Sequence, residues 1–490
     1  MLRGLSSDRF ENGGAAPIAR RRWILAAATA LSCVWGSLAC AAPPPTSVPA
    51  GGTFHLAPGD CGQEILGGLS HSTNVLGSLC GLRPLLGRYA ISIGLTETTE
   101  VLGNVSGGTR KGFAYDGLAT LVLQMDTQRA FGWYGGTFDA AALHIQGRNL
   151  STQNLQTLQT ASGIEADRGT RLWELWYDQR FFRDDRLDLR VGQQSLDQEW
   201  MVSQDALSFV NTMFGWPMLP SADLPGGGPA YPLAAVGARL RARAHDAWTI
   251  LAGIYNGSPV ANNTGDPQLQ NPHGTGFPLH GGTLAILEAQ HAYPTLGTML
   301  YGNASQPLAR VYKVGVWYDS ERFTDQAFDE EGLSLASPAS NGIAKTHRGN
   351  WALYAVADQT IWQSAAEPDR TVAVFLRPMW TPLADRNEID FSLNAGLAVH
   401  EPFLHRDDDT FALGLGYAHV SSHLVALDRQ KGYPAHHAET IVEATYQYQA
   451  TPWLQLQPDF QYVFHPGAGI TTAQPVKNEA IVGLRANITF

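Results

Sequence analysis

Three features of the sequence predict an all-β chain folded as a transmembrane antiparallel β-barrel of sixteen strands. Apolar and polar residues alternate at period two from Tyr89 to the C-terminus. The alternating segments run 9–15 residues, close to the 9–11 that a tilted strand needs to cross a bilayer and longer than the average globular strand of about 5–6. The connections between them are by turns short and long. The 490 residues carry 44% hydrophobic and 16% charged side chains with a net charge of −11. That balance sets aside disorder, which pairs low hydrophobicity with high charge, and nucleic-acid binding, which needs a basic footprint. No run after residue 42 is long and apolar enough for a transmembrane helix.

The first segment reads as an address. Arg20, Arg21 and Arg22 precede an apolar stretch from Trp23 to Leu38, and Ala39-Cys40-Ala41 follows. A basic region, an apolar region and an A-x-A site make a secretory signal peptide over residues 1–41; an uncleaved membrane anchor is the alternative. Its removal takes five Arg, one Asp and one Glu, leaving −14. Residues 42–88 form an N-terminal periplasmic segment, Pro-rich over 43–50 and partly helical over 54–88. The two cysteines left after cleavage, Cys61 and Cys80, are a disulfide pair or two free thiols in an oxidising compartment.

The barrel occupies 89–490, with strands expected near 89–101, 113–127, 135–147, 170–181, 185–193, 232–243, 247–256, 283–291, 309–319, 349–361, 370–380, 387–400, 409–419, 439–449, 453–464 and 478–490. The last hairpin shows the pattern best: Leu454, Leu456, Phe460, Tyr462 and Phe464 alternate with Gln455, Gln457, Asp459 and Gln461, and Val482, Leu484, Ala486, Ile488 and Phe490 alternate with Gly483, Arg485, Asn487 and Thr489. Alternation alone fits a soluble sandwich as well. Aromatic residues at strand ends, Trp133-Tyr134, Trp380 and Trp453, favour the membrane reading, where they form interface girdles. With both termini periplasmic, the connections at 182–184, 244–246 and 450–452 are periplasmic turns, and those at 148–169, 194–231, 257–282, 320–348 and 420–438 fall outside. Two connections run against this asymmetry, 292–308 and 381–386. Thr298-Met299-Leu300-Tyr301 is assigned to a turn.

Several stretches resemble the carbohydrate-selective porin family (OprB-like): Glu100-Val101-Leu102-Gly103-Asn104-Val105-Ser106-Gly107-Gly108, Leu187–Gln193, Phe214-Gly215-Trp216-Pro217, Leu224–Pro232, Gly315–Tyr318 and Arg386-Asn387. Gly77–Arg83 keeps the end of a further family stretch but lacks its Asp and Trp. The resemblance implies a sixteen-stranded outer-membrane channel of a Gram-negative bacterium passing monosaccharides such as glucose, with no cofactor, no metal and no catalytic residue. Its partners are the sugars and outer-membrane lipid, and monomer and trimer both stay open. Rival readings are a general or anion-preferring porin, an outer-membrane enzyme or adhesin, and a secreted β-sandwich lectin.

An enzyme would need a constellation, and the sequence has no G-x-S-x-G, H-E-x-x-H or Gly-rich phosphate loop. His436-His437 reads as exposed loop, since neighbouring side chains on extended backbone point opposite ways. Asp407-Asp408-Asp409 reads as a solvated face. The selectivity filter is expected in the lumen. Arg190 and Arg186 flank Asp188 on one strand face, and Arg239, Arg241 and Arg243 share a face of the next strand. An arginine facing lipid at mid-membrane costs about 2–4 kcal/mol, so these side chains point inward, binding hydroxyls through directed donors or pairing with carboxylates. Between the two strands, the long connection 194–231 carries Asp197, Glu199, Trp200, Phe214 and Trp216. Folded inward it narrows the pore, with aromatic faces for sugar rings; folded outward it caps the barrel.

Overall fold

The computed structural model describes residues 75–182, 184–261, 265–294, 308–403, 406, 408–470 and 475–490. The expected signal peptide, Cys61 and the 298–301 segment lie outside the described residues. Sixteen strands form a closed antiparallel barrel: β1 Ile91–Ser106, β2 Gly112–Asp126, β3 Gly136–Gly147, β4 Gly169–Phe181, β5 Leu187–Gln194, β6 Ala235–His245, β7 Trp248–Asn256, β8 Thr283–Tyr293, β9 Arg310–Asp329, β10 Ala344–Gln363, β11 Thr371–Trp380, β12 Ile389–His400, β13 Thr410–Val420, β14 Ala438–Thr451, β15 Leu454–Phe464 and β16 Glu479–Thr489. Every neighbour pairs with the next, and β1 closes on β16 from Thr96 opposite Thr489 to Gly103 opposite Val482. Closure satisfies each backbone donor and acceptor without an edge, the condition for crossing hydrocarbon with strands.

The distribution of side chains decides between barrel and sandwich. On β9 the apolar Tyr312, Val314 and Tyr318 are exposed, whereas Lys313 and Asp319 on the opposite face are buried. The same inversion holds on β5 and β6, where Val191 and Leu240 are exposed and Asp188 and Arg239 are buried. A wall with apolar residues outside and charges inside is a lipid-facing barrel. Trp133, Tyr134 and Trp380 lie exposed at strand ends, as the girdle requires.

The largest departure from the expected strands is at β9 and β10. Each is 20 residues long, so much of the expected 320–348 loop is strand. Beyond Asp319, where pairing with β8 ends, the two continue as a two-stranded ribbon, with register shifts between Arg348 and Asn350 and between Ala344 and Thr346. No lipid faces this ribbon, so its sequence needs no apolar row, and the period-two signal fades there. The turn after β2 is a short helix, Thr127–Phe131, capped by Asp126 accepting from the Arg129 N–H at 3.0 Å. The N-terminal segment contributes the helix Leu82–Gly87. Arg83 donates to the Phe490 carbonyl and the Val75 N–H to Thr489 O at 2.9 Å, which ties the segment before the barrel to the C-terminus. Cys80 is exposed beside that helix.

The solvated face expected at Asp407–Asp409 is not what Asp409 shows. Asp409 is buried rather than solvated: it accepts from Arg406 at 2.7 and 2.8 Å, Tyr446 Oη at 2.6 Å and the Gln449 N–H at 2.9 Å. A fully used carboxylate clamps its turn. His436 stacks on His465 and His437 on His419, the opposite directions expected of neighbours on extended backbone.

Candidate functional site: a loop folded into the barrel

The connection between β5 and β6, residues 195–234, is short helices and extended backbone held by side chains of the far wall. Met201 N–H donates to Glu288 of β8 at 3.0 Å, and Lys313 of β9 donates to Val202 O at 2.7 Å. Ser203 bonds Asp358 of β10. Arg377 of β11, fully buried, donates to four loop carbonyls: Met201 at 3.0 Å, Gly215 at 3.1 Å, Met213 at 3.0 Å and Phe214 at 2.7 Å. Asn394 of β12 steadies that guanidinium at 3.0 and 3.1 Å. Glu443 of β14 accepts from the Val210 and Asn211 N–H groups, and Gln457 of β15 donates to Ser208 O at 2.8 Å. Asp223, at the end of the helix Met218–Asp223, accepts from the Glu388 and Ile389 N–H groups at 2.8 and 3.3 Å.

A loop rooted between β5 and β6 reaches β8 to β15 only by crossing the lumen. Of the two placements open from sequence, the inward one is what the structure shows. The logic is electrostatic: cations of the wall meet loop carbonyls and carboxylates meet loop amides. Hydrogen bonds to charged groups contribute about 1.5–3 kcal/mol each. Sequence reading missed a second inward segment. The loop between β3 and β4, placed outside by its length, sends Leu158 N–H to Glu439 at 2.9 Å and Ala161 O to Gln461 at 2.8 Å, and Ser162 Oγ accepts from Arg485 at 3.0 Å. It also joins the first loop, with Gly163 N–H donating to Val210 O at 2.8 Å. Nothing in 148–169 resembles a plug; its anchors on β14 to β16 are 281 to 323 positions away in the chain.

Of the arginines predicted to face the lumen, Arg190, Arg239 and Arg241 point inward and converge, whereas Arg186 lies on the β4–β5 turn, exposed and paired with Asp184 at 2.6 Å, because β5 begins only at Leu187. Arg239, fully buried, donates Nε to Glu199 at 2.8 Å and Nη2 to Asp178 at 3.1 Å, and its Nη1 bonds Asp188. Arg190 reaches Asp178 at 3.2 Å and Glu199 at 3.7 Å and lies 3.9 Å over the Trp176 ring. Arg241 donates Nε to Asp188 at 2.6 Å and keeps 21% of its side chain exposed. Three guanidinium groups thus meet three carboxylates, Asp178, Asp188 and Glu199. The sequence named Arg190, Arg239, Arg241 and Glu199; Asp178, on β4, was missed because only register brings it opposite Arg190. Arg243, at the turn end of β6, bonds the Asp185 carbonyl instead.

The remaining predicted residues shape the loop and present little open face. Trp200 is buried, edge-on to Tyr255, with Nε1 donating to the Tyr255 hydroxyl at 3.1 Å. Phe214 stacks on Phe209 at 4.2 Å and meets Phe375 edge-on. Trp216 donates to Gly227 O at 2.9 Å. Asp197 accepts from Ser195 Oγ at 2.6 Å and Tyr231 N–H at 3.0 Å, closing the loop's base. The expectation of aromatic faces open to a sugar ring is therefore corrected for Trp200, Phe214 and Trp216, all buried: a loop without its own sheet needs apolar packing against itself and the wall, and these rings supply it.

Known proteins resemble this architecture throughout. The family model described as carbohydrate-selective porin, OprB family, matches residues 110–490. The chain is 22% identical over 452 residues to Porin B of Pseudomonas aeruginosa, covering 85% of this chain and 91% of that protein. It is 21% identical over 442 residues to the putative porin QuiX of Acinetobacter baylyi, covering 85% and 93%. Among solved structures, the high-pH structure of Pseudomonas putida OprB superposes with a TM-score of 0.72 at 22% identity, covering 86% of this chain and 99% of that one. The family model spans most of the chain, from the start of β2 through β16: the protein belongs to the carbohydrate-selective porins of the OprB family and is a sugar channel of the Gram-negative outer membrane.

Proposed function

We propose that the sugars passed are monosaccharides, glucose among them, and that they diffuse passively through an eyelet bounded by the folded-in 195–234 loop and the arginine–carboxylate network of β4, β5 and β6. The observation that carries this reading is the charge balance of that network. Three arginines against three carboxylates leave no net local charge for an ion to follow, while the directed donors of Arg241, half-free of partners, suit neutral hydroxyls. Arg190, Arg239 and Glu199 hold the wall in register, and Asp197, Trp200, Phe214 and Trp216 hold the loop against it. On this reading residues 1–41 direct export and are removed, 42–88 lie in the periplasm, and the exposed apolar belt meets outer-membrane lipid.

An anion-preferring porin is disfavoured by the inner wall. Its buried carboxyl side chains include Glu100, Asp116, Asp139, Glu288, Glu439, Glu443, Asp459 and Glu479, against Arg190, Arg239, Lys313 and Arg377 among the buried cations. Liposome swelling with a pentose, glucose, a disaccharide and a trisaccharide tests the proposal. Rates should fall steeply beyond glucose, and glucose should partly block ion current in planar bilayers. Equal rates for glucose and the trisaccharide, without block, would make it a general porin instead.

A further inference from the structure

Where the β9–β10 ribbon rises beyond its neighbours, two of its side chains meet one from the adjacent β11–β12 connection. Asp325, His347 and Asp385 each bring one ligand atom, all within 4.8 Å of one another. His347 Nε2 lies 2.8 Å from Asp325 Oδ2 and 3.7 Å from Asp385 Oδ2. The backbone fixes this arrangement. Asp325 Oδ1 accepts from the Ala327 and Phe328 N–H groups, each at 2.8 Å, which leaves Oδ2 aimed at the imidazole. The Gln326 N–H donates to Asp385 O at 2.7 Å, docking the connection on the ribbon. Side chains of Asp325 and His347 are 5% and 13% exposed, while Asp385 is 30% exposed and leaves one side open. A fourth group stands near. His423 acts electrostatically on Asp385 and packs edge-on to Phe328 at 5.9 Å, and its buried Nδ1 has no hydrogen-bond partner among the described residues.

We propose that Asp325, His347 and Asp385 form a binding site for a divalent transition metal of the zinc class on the loop side of the barrel, and that the bound ion pins the β11–β12 connection to the β9–β10 ribbon. One imidazole nitrogen with two carboxylate oxygens is a donor set for zinc or its neighbours and not for calcium or magnesium, which take oxygen alone. Bonds of about 2.0–2.1 Å in a tetrahedron put ligand atoms about 3.3–3.4 Å apart. The observed 2.8 and 3.7 Å separations bracket that value, so small side-chain rotations seat the ion. Arg386 is the competitor: it holds Asp385 Oδ1 at 2.9 Å and Oδ2 at 3.1 Å, and donates to Gly349 O at 2.8 Å. Seating the ion draws Oδ2 from Arg386, whose other bonds remain. No linear motif signals the site, because its residues are 22 and 38 positions apart.

The test uses the full-length, tag-free chain in detergent, stripped with a chelator that is then removed. Zinc is titrated against a chromophoric competitor, with folding checked by heat-modifiable gel migration. The expected result is a site whose affinity falls at least about ten-fold in His347→Gln and in Asp385→Asn, and is unchanged in a His436→Ala/His465→Ala double variant that removes the stacked histidine pair elsewhere on the loops. Zinc should also slow amide hydrogen exchange over 381–388 in the parent chain and not in His347→Gln. Zinc affinity unchanged in both His347→Gln and Asp385→Asn, or absent from the parent chain, would overturn the proposal wherever else zinc binds.

Discussion

Arg377→Met removes the donors that hold the eyelet loop while keeping the volume of the side chain that fills the wall. The parent guanidinium makes four bonds to loop carbonyls between 2.7 and 3.1 Å, at Met201, Met213, Phe214 and Gly215. At about 1.5–3 kcal/mol for each bond to a charged group, simple addition overstates the loss, because the freed carbonyls rehydrate in a wet lumen and the bonds share one side chain. Breaking a buried charged contact costs about 3–5 kcal/mol, and the lower figure alone moves the ratio of anchored to released loop by about two orders of magnitude. Glu443, Lys313 and Asp223 still hold other points of the loop, so release is partial and centred on 201–215. The expected outcome is a larger, noisier single-channel conductance and faster liposome swelling with a disaccharide, with heat-modifiable migration unchanged. Parent-like conductance and the same sugar size limit in a folded variant would refute the reasoning, and the loop would then not set the aperture.

Three further outcomes are expected. Arg239→Ala leaves Asp178, Asp188 and Glu199 facing two arginines, so reversal potentials in a salt gradient should shift toward cations and glucose block should weaken; an unchanged reversal potential would mean that another region filters ions. Phe490→Ala should lower outer-membrane yield without altering the conductance of inserted channels, because it removes the aromatic side chain just after β16 while keeping its N–H bond to Leu95 O at 3.0 Å; unchanged yield would count against that side chain acting in assembly. Burial pushes the Glu165 carboxyl, in the β3–β4 loop, from 4.5 up to about 8, outweighing donation from Ser151 N–H and Oγ. A group that keeps its proton in the folded loop contributes stability fully present below its unfolded pKa and lost as pH rises through about 8. Hydrogen-exchange protection of 148–168, corrected for intrinsic rates, should therefore fall from pH 4.5 to about 8 and level off above it in the parent, and stay level in Glu165→Gln; the same fall in both would assign it to another group.

What the sequence determined by itself is the wall. Alternation is a property of adjacent residues, and lipid on one side with water on the other imposes it along each membrane-crossing strand; Val482 to Phe490 or Tyr312 to Tyr318 reveal their faces without reference to any other strand. The inward turn of Arg190, Arg239 and Arg241 was legible for the same reason, since the cost of charge in lipid acts residue by residue. The upper ribbon of β9 and β10 was not, because beyond the bilayer that selection ends and strand pairing persists without an apolar row. Only the tertiary structure decided the channel's interior. Arg377 meets Phe214 across 163 positions and Glu443 meets Val210 across 233, and the barrel's closure, not any local pattern, puts them face to face. Strand register set Asp178 against Arg190 and Arg239, the inward fold of the loop buried Trp200 against Tyr255 and Phe214 against Phe375, and the β9–β10 ribbon with its docked neighbour brought Asp325, His347 and Asp385 together. Contacts between distant residues at single points leave no period in the chain; they exist only once the wall has curved round to present them.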